Sequence, residues 1–177
     1  SAYPAPTIKA CAHTYRPFAW VKKTETGIIA ARDHFGIEPF FYALERDRFI
    51  VGSTIPDIIK QLEKHPERHP CYKDECFPND LASMPRYTNQ THYRGIFRLE
   101  PGNSLSLNNG KVTQTPYWTL DPNAPDLVLE SPEAYHERFK ALLSDAVLAN
   151  CQGKIGIEFS GGLASSSIIT MAHSLGI

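Results

Sequence analysis

Residues 155–170, Ile155-Gly156-Ile157-Glu158-Phe159-Ser160-Gly161-Gly162-Leu163-Ala164-Ser165-Ser166-Ser167-Ile168-Ile169-Thr170, read as a strand, a loop and a helix start. Residues 155–159 alternate in the manner of a short strand. Ser160-Gly161-Gly162 is the loop. Residues 164–174 form a helix, with Gly176 as its C-terminal stop. A glycine pair lets the main chain approach an anion closely. The first N–H groups of the helix have no partners within the helix and point toward such a ligand. Ser160, Ser165 and Ser166 add hydroxyl donors. Physically this is a phosphate or pyrophosphate cradle, with Ser160, Gly161, Gly162, Ser165 and Ser166 as the cofactor-binding residues. Ser-Gly-Gly also occurs in plain loops, so the pattern needs its context. It is not a Walker loop, because no Gly-Lys-Ser/Thr is present.

Upstream, Ser131-Pro132-Glu133 is a helix start: a hydroxyl N-cap, proline in the first turn and an acid at the positive dipole end. Tyr135, Phe139, Leu142, Leu143, Ala146 and Val147 then form one apolar stripe at helical spacing. Residues 121–131 are rich in proline and aspartate and read as a linker. Before residue 120 the chain is rich in short apolar runs bounded by turn residues. These are residues 18–21, 28–31, 39–44, 48–52, 95–99, 104–108 and 111–118. Runs of this length fit antiparallel hairpins. Arg46-Asp47 sits in one turn. Asn109-Gly110 is the strongest hairpin signal, because both central residues of a type I′ turn need positive φ. Residues 53–62 carry Ile55, Ile58, Ile59 and Leu62 at helical spacing, and residues 63–90 have no regular pattern. The expected class is therefore α+β followed by α/β, with residues 1–120 as one domain and 132–177 as the start of another.

The chain has 177 residues, net charge −1, 42% hydrophobic and 21% charged content. That composition excludes disordered, collagen-like and coiled-coil classes. Near-neutral charge gives no pull on nucleic acid or an anionic membrane. No apolar run approaches the roughly 20 residues a spanning helix needs. The opening SAYPAPTIKA is not a signal peptide. Four scattered cysteines do not make a disulfide scaffold, so a reduced, cytoplasmic protein is expected. His65, His69, Cys71 and Cys76 match no common zinc spacing, and no metal site is assigned. Arg32-Asp33 reads as a structural pair at a strand end, so no catalytic residue is assigned either.

The 160–166 loop resembles the SGGxDSS pyrophosphate loop of the ATP-pyrophosphatase superfamily. Ala31-Arg32-Asp33-His34-Phe35-Gly36-Ile37-Glu38-Pro39 resembles the A-R-D-x-x-G-I-x-P segment of the asparagine synthetase family. Val51-Gly52-Ser53 sits where that family has a short strand before a helix. Thr91-His92-Tyr93-Arg94-Gly95-Ile96-Phe97-Arg98-Leu99-Glu100-Pro101-Gly102 and Tyr117-Trp118 resemble its T-x-y-x-G-I-x-x-L-x-P-G…Y-W segment. The resemblance implies a glutamine-dependent, ATP-dependent carbon–nitrogen ligase. An Ntn-hydrolase-type sandwich of antiparallel sheets would release ammonia from glutamine at an N-terminal cysteine. An ATP-pyrophosphatase α/β domain would bind ATP and Mg²⁺ and adenylate a carboxylate substrate. Residues 1–120 would be the C-terminal part of the first, and residues 132–177 the start of the second. A homodimer is compatible with it.

Two departures stand against activity. No cysteine lies at or near residue 1, and the family alignment begins within a domain, so Ser1 is not assigned as its nucleophile. The chain by itself is expected to hydrolyse no glutamine. Ala164 stands where the family loop has aspartate, and alanine supplies magnesium no oxygen ligand. Two alternatives within reach of the same motifs are a lasso-peptide-type macrolactam synthetase and a glutamine phosphoribosyl-pyrophosphate amidotransferase. The Ser-Gly-Gly loop after Tyr117-Trp118 argues against the second. An alternative of another class is a non-catalytic binding module derived from this family.

Overall fold

Ala30 and Ala31 are neighbours in sequence, and both are fully buried. Successive strand side chains point to opposite faces, so their strand is covered on both sides. In the computed structural model, which describes residues 7–14, 16–45, 48–63, 89–151 and 153–177, that strand is β2 (Gly27–Arg32). It is preceded by α1 (Ile8–Cys11) and β1 (Ala19–Lys23). It is followed by β3 (Phe41–Glu45), β4 (Arg48–Gly52), α2 (Ile55–Leu62), β5 (Ile96–Arg98), β6 (Asn103–Asn108) and β7 (Lys111–Pro116). Two helices complete the order, α3 (Pro132–Asn150) and α4 (Leu163–Ser174). The contacts divide the chain into residues 1–120 and 121–177.

The first unit holds two antiparallel sheets, ordered β1-β2-β6-β7 and β4-β3-β5. Register places Ala30 opposite Leu105 and Tyr42 opposite Phe97. These side chains form one core cluster between the sheets, with Phe40, Leu99, Phe49 and Val112. A residue adjacent to these on each strand of the smaller sheet faces the other way. Ala43, Ile50 and Ile96 pack under Ile58 and Leu62 of α2. The Thr54 hydroxyl caps α2 by accepting from the Asp57 N–H at 3.3 Å, and Pro56 lies in its first turn. The β6–β7 hairpin turns on Asn109 (φ 50°) and Gly110 (φ 73°), as the type I′ signal requires. At the free edges of the larger sheet, β1 ends in Lys22 and Lys23 and β7 in Pro116. The α+β sheet-and-helix architecture expected for residues 1–120 is thus present. The Arg46-Asp47 turn, residues 64–88 with His65, His69, Cys71 and Cys76, and Ser1 lie outside the described residues.

In the second unit, the Ser131 hydroxyl accepts from the Ala134 N–H at 3.2 Å, and Pro132 opens α3. Glu133 sits in the first turn, where hydrogen bonds to the main chain and to Ser131 hold its carboxyl below the usual range. The Tyr135 hydroxyl donates to the Leu127 carbonyl and accepts from the Leu129 N–H, each at 2.9 Å, which fastens the end of the linker to α3. The apolar stripe on α3 is present but mostly uncovered: Val147 is buried, while Tyr135, Phe139 and Leu142 are exposed. One expectation is corrected. Residues 155–159 are neither helix nor paired strand. A strand exists through its ladder to a neighbour, and none of the described residues supplies one here. The segment runs unpaired into the 160–162 loop.

The strand-end pair Arg32-Asp33 organises the first unit. The Arg32 guanidinium donates to the carbonyls of Glu38 (2.7 Å), Leu99 (2.8 Å) and Gly36 (2.5 Å). The Asp33 carboxylate accepts from the N–H groups of Phe35 (3.2 Å), Ile37 (3.0 Å) and Glu38 (2.9 Å). The Asp33 carbonyl accepts from Gly102 at 2.9 Å, and the Arg32 carbonyl accepts from the Tyr117 hydroxyl at 2.6 Å. Gly36 has φ +65°, and a Cβ there would lie 2.8 Å from the Arg32 guanidinium carbon, so no other residue fits. Burial lowers the Arg32 pKa, and Asp33 opposes that shift.

Replacing Asp33 by alanine leaves three part-buried loop N–H groups without their acceptor and removes a carboxylate that favours the Arg32 charge. Asp33→Ala is expected to destabilise the first unit by about 3–5 kcal/mol. Urea titration followed by tryptophan fluorescence reads this unit alone, because Trp20 and Trp118 are the chain's two tryptophans. An unchanged midpoint would contradict the assignment.

Burial also pushes the Tyr117 phenol well above its usual value, with Cys11 and Asp33 adding to the shift. The folded value lies above the unfolded one near 10, so the native state keeps the proton longer. Its contribution to stability is complete below about pH 10 and is lost as pH rises toward the folded value. Tyr117→Phe should start less stable by about 1 kcal/mol from the lost hydrogen bond. It should then lose less stability than the parent chain above about pH 10, as urea midpoints at a series of pH values would show.

Candidate functional site

The Ser-Gly-Gly loop is built by backbone conformation rather than by side-chain contact. Gly161 has φ +77°, a region that costs an L-residue roughly 1–2 kcal/mol. Gly162 is the N-cap of α4 and offers no side-chain cap to the first-turn N–H groups. Ser160 and Ser165 stand hydroxyl to hydroxyl at 3.2 Å, and the Ser165 hydroxyl donates to the Gly162 carbonyl at 3.1 Å. Residues 160–164 are exposed, and Ser165 and Ser166 are half-buried. The five residues selected from sequence therefore lie on one loop and the first turn of one helix. Ser160, Gly162 and Ser165 are linked by the bonds above, and Gly161 contributes its backbone conformation. The Ser166 N–H donates to the Gly162 carbonyl at 3.0 Å and so is committed to the helix.

The fit of this loop to a nucleotide divides into two parts. Phosphate oxygens need donors, and the open N–H groups after Gly162 with the Ser160 and Ser165 hydroxyls provide them. Magnesium needs hard oxygen ligands, usually one or two carboxylates beside the phosphates. Ala164 offers none. Among the described residues no group of three or more His, Cys, Asp or Glu side chains is placed to hold a metal. The loop fits the anion and does not fit the metal.

A second concavity lies in the first unit, a cavity of about 320 Å³. Asp33, His34, Phe35 and Ile37 form one wall, residues 12–14, 16 and 17 another, and Trp118 closes it. His34 meets Trp118 edge to face at 4.9 Å, and Phe35 meets the same indole at 5.5 Å. Phe35 and Ile37 remain 75% and 64% exposed although the Asp33 carboxylate fixes the N–H of each. Sequence reading missed this cavity because its walls come from three separated stretches. The local signal was a histidine and a phenylalanine directly after two adjacent charged residues, Arg32 and Asp33. Arg32 and Asp33 spend their polar atoms on the main chain, in keeping with the structural role read from sequence. Tyr117 and Trp118 pack, as expected for aromatics at a strand end.

No helix among the described residues is long and apolar enough to cross a membrane. Comparison with known proteins gives the family. The glutamine amidotransferase domain matches residues 7–118. The chain is 27% identical over 169 residues to Amidase chry2 of Gibberella zeae, covering 92% of this chain and 24% of that protein. It is 28% identical over 152 residues to Amidase chyE of Penicillium rubens, covering 84% and 21%. It is 27% identical over 152 residues to asparagine synthetase [glutamine-hydrolyzing] 3 of Bacillus subtilis, covering 82% and 23%. The chain thus spans about a quarter of the length of these curated relatives. The matched domain takes in both sheets and the Arg32-Asp33 network, and by that match the chain belongs to the glutamine amidotransferase domain family.

Proposed function

We propose that the chain is part of an asparagine-synthetase-like, glutamine-dependent amidotransferase. The observation that carries this reading is order: a glutamine amidotransferase domain over residues 7–118, then a Ser-Gly-Gly loop opening α4. In that reading the first unit belongs to an Ntn-hydrolase-type sandwich that frees ammonia from glutamine. The second belongs to an ATP-pyrophosphatase domain. A substrate carboxylate attacks the α-phosphorus of ATP, pyrophosphate leaves, and ammonia then attacks the acyl carbon and displaces AMP. The loop's part is to hold the departing pyrophosphate through the N–H groups after Gly162. Magnesium would have to be held by groups other than residue 164. Relatives named amidase favour a second reading, amide hydrolysis without nucleotide.

Calorimetric titration with inorganic pyrophosphate tests the loop. The 177-residue chain is expected to bind it without magnesium. Gly161→Val should weaken binding about tenfold or more, because valine resists the left-handed conformation. Ala164→Asp should make binding magnesium-dependent. No pyrophosphate binding, or binding indifferent to Gly161→Val, would leave the amidase reading in place. In the intact protein, AMP formation that requires both glutamine and a carboxylate would decide for the synthetase.

A further inference from the structure

We infer that Asn109 is a site of spontaneous deamidation, which turns the β6–β7 hairpin into a chemical clock on this chain. The reaction needs a reachable carboxamide and an unobstructed following N–H. Asn109 is exposed at the tip of the type I′ turn, with φ 50°. No hydrogen bond to another described residue holds its carboxamide. Gly110 has no side chain to crowd the attack, and the space a Cβ would take there is open. The other described asparagines differ. Asn103 precedes serine and its amide donates to the Pro101 carbonyl at 2.9 Å. Asn150 precedes cysteine and donates to the Ala146 carbonyl at 2.9 Å. Asn89 precedes glutamine, Asn123 precedes alanine, and Asn108 precedes Asn109 itself.

The chemistry balances with water as the co-reactant. The Gly110 main-chain nitrogen loses its proton to base and attacks Cγ of Asn109. The new N–Cγ bond forms as the Cγ–Nδ2 bond breaks, and ammonia leaves. Water then opens the five-membered imide at either carbonyl, giving aspartate or isoaspartate. Isoaspartate routes the main chain through Cβ. The two-residue turn then holds an extra backbone atom, and the facing of Asn108 with Lys111 is lost. Each chain releases one ammonia molecule and no more, which separates this event from glutamine turnover.

The test follows the folded 177-residue chain and a free peptide of residues 104–115 side by side, at neutral and mildly alkaline pH. Peptide mapping reads the exchange of NH for O, and isoaspartate is resolved by electron-transfer fragmentation. Modification is expected at Asn109 first, faster at higher pH, with up to one equivalent of ammonia per chain. The folded chain should react within about tenfold of the peptide, since turn tips open at the low end of local unfolding free energies. Asn109→Asp should abolish the ammonia release and Asn109→Gln should slow it. Gln at this site also reports whether the turn tolerates substitution, by its urea midpoint. An intact Asn109 after the peptide has reacted fully, or earlier modification at another asparagine, would overturn the inference.

Discussion

The first unit depends on one constraint: a strand that ends on a buried, charged pair must satisfy every polar atom it takes from water. Arg32 is 8% and Asp33 3% exposed. Removing such charges from water costs several kcal/mol each, and their mutual attraction offsets this only when the remaining donors and acceptors are also bonded. Here they are bonded by the loop that follows and by Leu99, sixty-seven residues away. Two of the carbonyls taken up by Arg32, those of Gly36 and Glu38, and the N–H groups taken up by Asp33 belong to one short loop, which these bonds fix from both sides. Gly36, Gly102, Tyr117 and Leu99 are positioned by that same set of bonds. The two sheets meet at this end of the molecule through polar bonds as well as through the Ala30–Tyr42–Leu105 core.

The parts legible in the sequence are those fixed by local chemistry. Asn109-Gly110 specifies its turn because the two positive φ values are a property of those residues. Ser131 announces its helix because a hydroxyl can satisfy an orphaned N–H three residues on. Ala30 and Ala31 were legible as strand, but not as a strand covered on both faces, since residues packed with Ala30, such as Tyr42 and Leu99, lie far away in sequence. Residues 155–159 show the limit more sharply. Their pattern is that of a strand, yet a strand needs a partner, and pattern carries no information about who supplies it. The stripe on α3 behaves alike: its helical period is local, while its cover is not.

The loop at Gly161 separates two requirements that a nucleotide site usually joins. Main-chain donors for an anion follow from a left-handed glycine and an uncapped helix start, so they depend on Gly161 and not on which side chain stands at 164. Ligands for a divalent cation follow from particular carboxylates, and alanine at 164 supplies none. The cavity beside His34 has a different origin. There two buried, charged side chains hold a loop by its main chain, and Phe35 and Ile37 stay turned outward.

The edges of the larger sheet bear on how the protein behaves when concentrated. An open edge is a template on which another chain can continue the ladder. On β1 the last two positions are lysines, so an incoming strand in register would bring ammonium groups against its own neighbours. On β7 the final position is Pro116, which has no N–H to offer. Both edges thus resist indefinite stacking at the points where a ladder would have to close. Aggregation through this sheet should be slow even though Val21 leaves an apolar side chain in solvent.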